Sequence, residues 1–141
     1  MVQSPYLIPL PQIPGKSGWL SFVEEGNDLP IEIKRAYWIY GSSASSKRGQ
    51  HAHVNSDRVM VCMTGSVLIT MENPVGDKFQ FTLDHPAQAL YFPRLHWIDI
   101  TLSPGAILLV FASCILEEDE VVKVYPEFKQ LQFPPIGMVK D

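Results

Sequence analysis

Short runs of β-branched, aromatic and other apolar residues recur along most of the chain, and clusters of turn-forming residues separate them. Such runs favour strands over helices, and clusters of Gly, Pro, Asn, Asp and Ser favour turns. The pattern predicts strands at residues 19–23, 33–40, 59–63, 66–71, 79–83, 88–92, 97–102 and 106–112. Many short strands at close spacing are typical of an antiparallel sandwich or barrel.

Both ends of the chain depart from this pattern. Residues 1–16 contain four prolines, which disfavour a helix and favour an extended arm or an edge strand. At the other end, only residues 117–132 permit a helix, and Pro126 interrupts it. We therefore expect three parts: an N-terminal arm at 1–17, one β-domain at 18–132 and a C-terminal tail at 133–141.

Composition and charge narrow the class of protein. The 141 residues are 46% hydrophobic and 18% charged, which suits one globular domain with a sizeable core. The net charge is -4 and no basic stripe is visible, so we do not expect nucleic-acid binding. The longest apolar run, residues 106–112, is too short to span a bilayer, and the N-terminus has no signal-peptide pattern.

Cys62 and Cys114 both lie in apolar segments that are predicted to be strands or to follow one. Cysteines in such positions are typically buried free thiols in a reducing compartment. A disulfide or a catalytic thiol is the alternative, although neither residue has a CxxC partner or a histidine beside it. We expect a cytoplasmic protein that contacts no membrane.

A pair of histidines stands out among the polar residues, in the segment Arg48-Gly49-Gln50-His51-Ala52-His53. Alternate residues of a strand point to the same face, so both imidazoles enter one cavity if this segment is extended. Small barrels can enclose a ligand cavity behind such a face. Because histidine titrates near neutral pH, the pair indicates metal binding or proton transfer. The alternative is that both histidines have only a structural role.

The pair, followed by a strand, a glycine turn and a second strand, resembles the first motif of the cupin superfamily. The resemblance implies an all-β fold, a small antiparallel double-stranded β-helix (a cupin or jelly-roll barrel) from which the N-terminal arm extends. In metal-binding cupins a glutamate and a third histidine complete the metal site; here those positions hold Arg58 and Ile98. A divalent ion needs three or four protein ligands, and a guanidinium repels it. We therefore predict a metal-free pocket that transfers protons.

Four segments together resemble one cupin family, the nucleotide-sugar 3,4-ketoisomerases of the FdtA and WxcM-like group. They are residues 33–40, 48–53, 61–66 and 81–97, and the Arg-Gly-x-His-Ala-His string is the most specific. The resemblance spans roughly residues 18–130. It implies an isomerase of deoxysugar biosynthesis that converts dTDP-4-keto-6-deoxyglucose to its 3-keto isomer through an enediol. Such proton transfer requires no redox cofactor, so we expect none.

By this resemblance His51 and His53 are the acid/base pair, although which of them removes the proton does not follow. Tyr37 is either a donor to a sugar oxygen and proton relay or a half-buried strand aromatic. The candidate substrate ligands, each with a structural alternative, are Arg48, Arg58, Arg94 and Trp97. Arg48 suits a diphosphate, Arg58 a phosphate, a sugar or an ion-pair partner, and Trp97 a sugar, a base or the core.

Several positions depart from the family's pattern, among them Val54, Arg58 and Lys123. They keep two alternatives open: a dTDP-4-keto-6-deoxyhexose 3,5-epimerase, and a non-catalytic cupin that binds a sugar nucleotide. The epimerases pair their histidine with an aspartate, for which the sequence shows no convincing equivalent. The apolar, proline-rich arm and the family resemblance together predict a homodimer that exchanges its N-terminal arms.

Overall fold

The computed structural model describes residues 3–43 and 46–131, and in this part the protein is almost entirely antiparallel β-structure. The predicted tail, 133–141, lies outside the described residues. The strands are β1 (Tyr6–Pro9), β2 (Gln12–Gly15), β3 (Gly18–Ser21), β4 (Arg35–Ile39), β5 (Ser46–His53), β6 (Arg58–Thr64), β7 (Val67–Glu72), β8 (Lys78–Leu83), β9 (Gln88–Phe92), β10 (Trp97–Leu102), β11 (Ile107–Ala112) and β12 (Val121–Val122).

Each of the eight predicted strands is present, with ends that differ by a few residues. The histidine pair lies on β5, so the expectation that this segment is extended is confirmed. Two five-stranded sheets form the body of the protein, in the orders β1-β9-β6-β11-β4 and β12-β5-β10-β7-β8. Strands β4 to β11 alternate between the two sheets, except that β7 and β8 form a hairpin within the second sheet. Two such packed antiparallel sheets are typical of a jelly roll. The predicted all-β, jelly-roll fold class is confirmed, whereas the extended N-terminal arm is not.

The core lies between the inner faces of the two sheets. Alternation along each strand supplies it: Met60 and Cys62 of β6, Leu108 and Val110 of β11, and their counterparts on β7 to β10 are buried in one cluster. The opposite face of the first sheet carries a second apolar cluster, which Leu10 and residues 29–31 partly cover. The first sheet is therefore apolar on both faces.

The N-terminal residues form an edge strand and a hairpin. Strand β1 pairs antiparallel with β9 of the same chain, and Leu10 N–H continues the contact with the carbonyl of Ala87. Strands β2 and β3 pair with each other, and all their residues are exposed. The predicted boundary at residues 17 and 18 falls at the turn of this hairpin.

The C-terminal segment contains less helix than the sequence permits. A 3-10 turn at Leu116–Glu118 is followed by β12 and by a single short helix, α1 (Tyr125–Lys129). Pro126 lies in the first turn of α1, so it begins this helix instead of interrupting one; a missing N–H costs nothing there. Strand β12 pairs with the end of β5, which ties the segment to the histidine pair.

Cys62 and Cys114 are both buried and unpaired, which confirms the prediction of free thiols. Among the described residues, no helix has the length and apolar character that crossing a bilayer requires.

Candidate active site

A β-bulge in β5 orients the first histidine. Asp99 pairs with Gly49 and Ile98 pairs with His51, so Gln50 is an extra residue in the ladder. Gly49 and Gln50 both have positive φ, 102° and 58°. A Cβ at Gly49 would lie 2.6 Å from the carbonyl oxygen of Ile98, so only glycine fits the bulge without a backbone shift. The bulge ends before His51, so His51 and His53 follow the ordinary alternation of the strand and both face the cavity.

The inward face opens on a cavity of about 760 Å³ between β4 and β5. Four of the predicted site residues line it: Tyr37, Arg48, His51 and His53. The floor and walls are otherwise largely apolar, formed by Met60, Phe92, Ile98 and Ile100 among others. The cavity is therefore an apolar pocket with a small number of polar side chains at fixed positions, which is typical of ligand-binding sites.

The two imidazoles contact each other directly. Nε2 of His51 lies 3.1 Å from Nε2 of His53, and the rings are nearly perpendicular, at 89°. A hydrogen bond between two imidazole nitrogens needs one donor and one acceptor. The pair therefore shares one proton across this contact.

Asp119, which follows the 3-10 turn, lies on the other side of His53. Its Oδ1 is 2.9 Å from Nδ1 of His53, and its Oδ2 accepts hydrogen bonds from the guanidinium of Arg58 at 2.6 Å and from that of Arg35 at 3.2 Å. Arg58 is also 3.1 Å from Nδ1 of His53. A lone pair on that nitrogen would face the carboxylate, so Nδ1 carries the proton and donates it to Asp119.

Burial controls the charge of His53. Desolvation, followed by the nearby Arg58 guanidinium, lowers the pKa of His53 to about 4, although Asp119 acts in the opposite direction. Burial alone would raise the pKa of Asp119, but hydrogen bonds to His53 and Arg35 and the charges of His53 and Arg58 outweigh it and lower that pKa. At neutral pH the site thus holds a neutral His53 beside an ionised Asp119.

Arg58 does not line the cavity and is not placed to bind substrate. Its side chain is 2% exposed, lies behind His53 and donates to Asp119 and to the hydroxyl of Ser56. It is therefore the ion-pair partner that was one of its two predicted readings. Its guanidinium also lies 5.9 Å from the ring of Tyr37, and that of Arg35 lies 5.3 Å from the same ring.

Two other predicted ligands lie outside the cavity. Trp97 packs against Tyr125 and Phe128 of α1, with ring centroids 5.4 and 5.6 Å apart, because it faces outward from β10 while its neighbour Ile98 faces inward. Arg94 donates to the carboxylate of Asp57 in an exposed ion pair. Neither side chain therefore lines the cavity that holds the histidine pair, and a substrate role for either one stays a prediction.

The sequence predicted no site role for Asp119, Lys47 or Lys123, and the structure brings all three to the site. Lys47 and Lys123 line the cavity with Arg48, and none of these three cations forms an ion pair within the described residues. A signal for a buried acid did exist, since a buried Arg58 requires a carboxylate partner. Four consecutive acids at 117–120 left the choice among them open.

Within the described residues, no group of three or more His, Cys, Asp or Glu side chains is arranged to hold a metal ion. The metal-free pocket stays a prediction, which activity in the presence of a chelator tests.

Comparison with known proteins was informative. The family model described as "FdtA: WxcM-like, C-terminal" matches residues 3–132. A TDP-4-oxo-6-deoxy-alpha-D-glucose-3,4-oxoisomerase from Aneurinibacillus thermoaerophilus is 33% identical over 115 residues, which cover 80% of this chain and 81% of that protein.

Two solved structures are similar along most of their length. One is the H51N mutant of the 3,4-ketoisomerase QdtA from Thermoanaerobacterium thermosaccharolyticum in complex with TDP-4-keto-6-deoxyglucose (30% identity, TM-score 0.83, 92% of this chain and 94% of that one). The other is the TDP-quinovose 3,4-ketoisomerase WlaRB from Campylobacter jejuni (30% identity, TM-score 0.85, 92% of this chain and 100% of that one).

Proposed function

The chain belongs to the FdtA family of WxcM-like C-terminal domains, and from this premise we propose that it is a TDP-sugar 3,4-ketoisomerase. The proposed reaction converts dTDP-4-keto-6-deoxyglucose to a dTDP-3-keto-6-deoxyhexose in deoxysugar biosynthesis. The observation that carries the proposal is the pair of imidazoles, 3.1 Å apart at Nε2, in a cavity of a jelly roll whose relatives carry this activity.

The geometry favours His51 as the residue that removes the proton. Both ring nitrogens of His53 are engaged, one by Asp119 and the other by His51. Nδ1 of His51 makes no hydrogen bond to any described residue, and His51 lines the cavity. A base must reach the proton it abstracts, and in this pair only Nδ1 of His51 is free to do so.

The reaction moves only protons, so it needs no electron acceptor. His51 takes the proton from C3, a C3–C4 double bond forms, and the C4 oxygen carries the negative charge of an enediolate. Protonation of that oxygen, return of a proton to C4 and loss of the O3 proton complete the 3-keto isomer. Tyr37, which lines the cavity beside two guanidinium groups, is placed to donate to the sugar oxygens.

The three cations of the cavity supply a site for the diphosphate. Lys47, Arg48 and Lys123 carry positive charges that no described acid neutralises. Charge-assisted hydrogen bonds from such groups to phosphate oxygens are among the strong ones. Because these cations line the same cavity as the histidines, a diphosphate bound by them would bring its sugar near the pair.

One observation favours a second candidate, a 3,5-epimerase of a dTDP-4-keto-6-deoxyhexose. The His53–Asp119 contact, 2.9 Å long, supplies the histidine–aspartate pair that the sequence did not reveal. The family match and the named relatives favour the ketoisomerase. The two reactions differ in whether the carbonyl moves.

The test is to incubate the purified, chelator-treated protein with dTDP-4-keto-6-deoxyglucose and to follow the carbonyl carbon by NMR. A carbonyl that moves from C4 to C3 supports the ketoisomerase. A carbonyl that stays at C4 while the configuration at C3 and C5 changes identifies the epimerase. Binding without change of either kind identifies a non-catalytic cupin.

We also propose that two chains associate through the outer face of the first sheet and exchange their N-terminal strands. An apolar groove of about 790 Å³ lies there, and the exposed β2–β3 hairpin forms part of its wall through Trp19 and Leu20. A two-stranded hairpin is marginal alone, so a partner would stabilise it. The two buried free thiols support a cytoplasmic location.

A further inference from the structure

Asp119 and the two arginines that hold it are not used as reacting groups in the scheme above, although they contact the histidine pair. We propose that Asp119 is a positioning residue: held by Arg35 and Arg58, it fixes His53 with the proton on Nδ1 and thereby keeps Nδ1 of His51 free as the base. The inference rests on the proposed function for its effect on catalysis, but the protonation pattern it describes can be measured without any substrate.

Three donors converge on one carboxylate. Arg35 and Arg58 donate to Oδ2 of Asp119, and His53 donates to Oδ1. Neither arginine accepts a hydrogen bond, and an ionised carboxylate donates none. An N–H of Arg58 also lies 3.1 Å from Nδ1 of His53, but the carboxylate is closer, at 2.9 Å, and repels a lone pair on that nitrogen. The geometry therefore favours an Nδ1–H of His53 that donates to Asp119.

The position of the proton on His53 also determines which nitrogen of His51 is protonated. A neutral His53 that is protonated at Nδ1 has a lone pair at Nε2, so the contact of 3.1 Å requires His51 to donate from its own Nε2. A neutral His51 that is protonated at Nε2 has its lone pair at Nδ1. When that nitrogen takes a proton, the hydrogen bond to His53 spreads the positive charge toward Asp119.

Before His51 takes up a proton, the charged groups around His53 keep its imidazole neutral. The groups that face it are His51 from its own strand, Arg58 from β6, Phe92 from β9, and Asp119 from the 3-10 turn. An aspartate alone would favour a cationic His53, but the two guanidinium groups offset its charge. Tyr37, from β4, faces the same guanidinium groups from the cavity side.

The segment that carries Asp119 is anchored on both sides of this residue. The side chain of Asn55 donates to the carbonyl of Glu118 at 2.7 Å and accepts from the N–H of Glu120 at 3.0 Å. The N–H of Val54 donates to the carbonyl of Glu120 at 2.9 Å. These contacts place the carboxylate relative to the end of β5, as a positioning role requires.

The experiment compares the wild-type protein with Asp119→Asn by NMR of the histidine ring nitrogens and by steady-state kinetics. In the variant, the amide oxygen turns to the two arginines and the amide N–H₂ donates to His53. His53 then carries its proton on Nε2, and His51 carries its own on Nδ1, where the base is needed. We expect kcat to fall by a factor on the order of 10³, with a much smaller change in KM. The matched control is Asp57→Asn, which removes another aspartate–arginine pair away from the histidines and should leave kcat and both ring patterns unchanged.

A wild-type spectrum with His53 protonated at Nε2 overturns the inference, and this result requires neither a folded variant nor any activity. An Asp119→Asn protein that shifts the ring protons and loses kcat supports it, whereas one that keeps the wild-type pattern or the wild-type kcat contradicts it. If the wild type fails to isomerise the sugar but shows the Nδ1–H pattern, the proposed function is wrong and the positioning by Asp119 stands.

Discussion

At the scale of single residues, the site depends on a limit to protonation: two imidazoles separated by 3.1 Å cannot readily both be cations. Two cations at that distance repel strongly, so one ring must stay neutral while the other reacts. Burial and Arg58 assign the neutral role to His53. We therefore expect the chemistry to fall to His51, which lines the cavity and whose Nδ1 is not engaged by His53.

The first prediction concerns His51→Asn. The substitution removes the proposed base and leaves a side chain of similar size, so we expect kcat to fall on the order of 10²–10⁴-fold with little change in stability. Steady-state kinetics and thermal unfolding measure the two effects. His85→Asn is the control, since His85 is an exposed turn residue and its replacement should leave kcat unchanged. A His51→Asn protein with wild-type turnover would contradict the assignment.

The second prediction concerns stability and pH. The pKa of His53 is about 4 in the folded chain against 6.5 in the unfolded one, so between these values the unfolded chain binds more protons. The contribution of His53 to the free energy of unfolding is therefore complete above pH 6.5. It decreases by about 3 kcal/mol as the pH drops toward 4. Urea denaturation between pH 7.5 and 4.5 measures this slope.

His53→Gln is the comparison for that slope. The variant should lose most of the pH dependence and keep the part that buried His96 contributes, because burial lowers the pKa of His96 as well. Asp119 adds stability that is lost only as the pH falls below its usual pKa of 3.8, outside the range measured. An unchanged slope in His53→Gln would show that His53 is not the titrating group.

The sequence indicated some site residues and missed others for physical reasons. The spacing of His51 and His53 defines a common face once the segment is a strand, and Tyr37 and Arg48 share the cavity with them. Asp119 is 66 residues from His53 in the chain, and its place depends on how the C-terminal segment docks on β5. No local pattern encodes that docking.

At the scale of elements, the bulge in β5 decides which side chains enter the cavity. Without the extra residue Gln50, the pairing with β10 would shift by one position and turn either His51 or the residues before it to the other face. The positive φ of Gly49 and its close approach to Ile98 make the bulge dependent on this glycine. The backbone conformation of this bulge therefore influences which side chains can take part in the chemistry of the site.

The third prediction tests the bulge with Gly49→Ala. A Cβ 2.6 Å from a backbone oxygen forces β5 and β10 apart, so we expect a loss of about 2–4 kcal/mol in unfolding free energy and a clear loss of kcat. Gly76→Ala is the control: its φ of 98° is nearly that of Gly49, but its Cβ meets nothing closer than 3.8 Å.

We expect Gly76→Ala to cost about 1 kcal/mol through backbone strain alone and to keep its activity. Urea denaturation and kinetics on both variants make the comparison. Equal losses of stability in the two proteins would mean that the contact with Ile98 does not determine the bulge.

The strands were predictable because each one alternates against a buried core, whereas the ends of the chain were not. The segment from Leu116 onward folds as a 3-10 turn, a two-residue strand and a short helix, each stabilised by contacts with distant residues. Trp97 illustrates the same limit. Its indole was a candidate for substrate stacking, but it covers the outer face of β10 under Phe128, a contact that requires the whole C-terminal segment.

At the scale of the whole molecule, the first sheet has two apolar faces and the second sheet has mainly one. The outer face of the first sheet leaves large apolar side chains exposed beside the groove, among them Trp19, Leu20 and Met63. Exposed apolar surface of this kind is typical of association sites. This surface supports the proposed association of two chains.

The fourth prediction is that light scattering at micromolar concentration gives a mass of twice the 15.9 kDa of one chain. Met63→Lys places a charge in the groove and should shift the protein to monomer, while Val75→Lys, in an exposed turn on another part of the surface, should not. A wild-type monomer would contradict the proposed association.

Exchange of the N-terminal strand has its own test. Ile8 pairs with Ala89 across β1 and β9, so Ile8→Cys/Ala89→Cys places two thiols on one face. With exchanged strands, oxidation should link two chains on a non-reducing gel. A disulfide formed within one chain would show that β1 stays with its own subunit.

We propose that the imidazole pair carries a proton between neighbouring sugar carbons without a metal ion. Proton NMR of dTDP-4-keto-6-deoxyglucose in heavy water, with the wild-type protein and a chelator, measures this transfer. We expect a 3-keto product that carries solvent deuterium at C4, formed at a rate that the chelator does not change. Exchange at C3 and C5 with the carbonyl still at C4, or activity that the chelator abolishes, would contradict it.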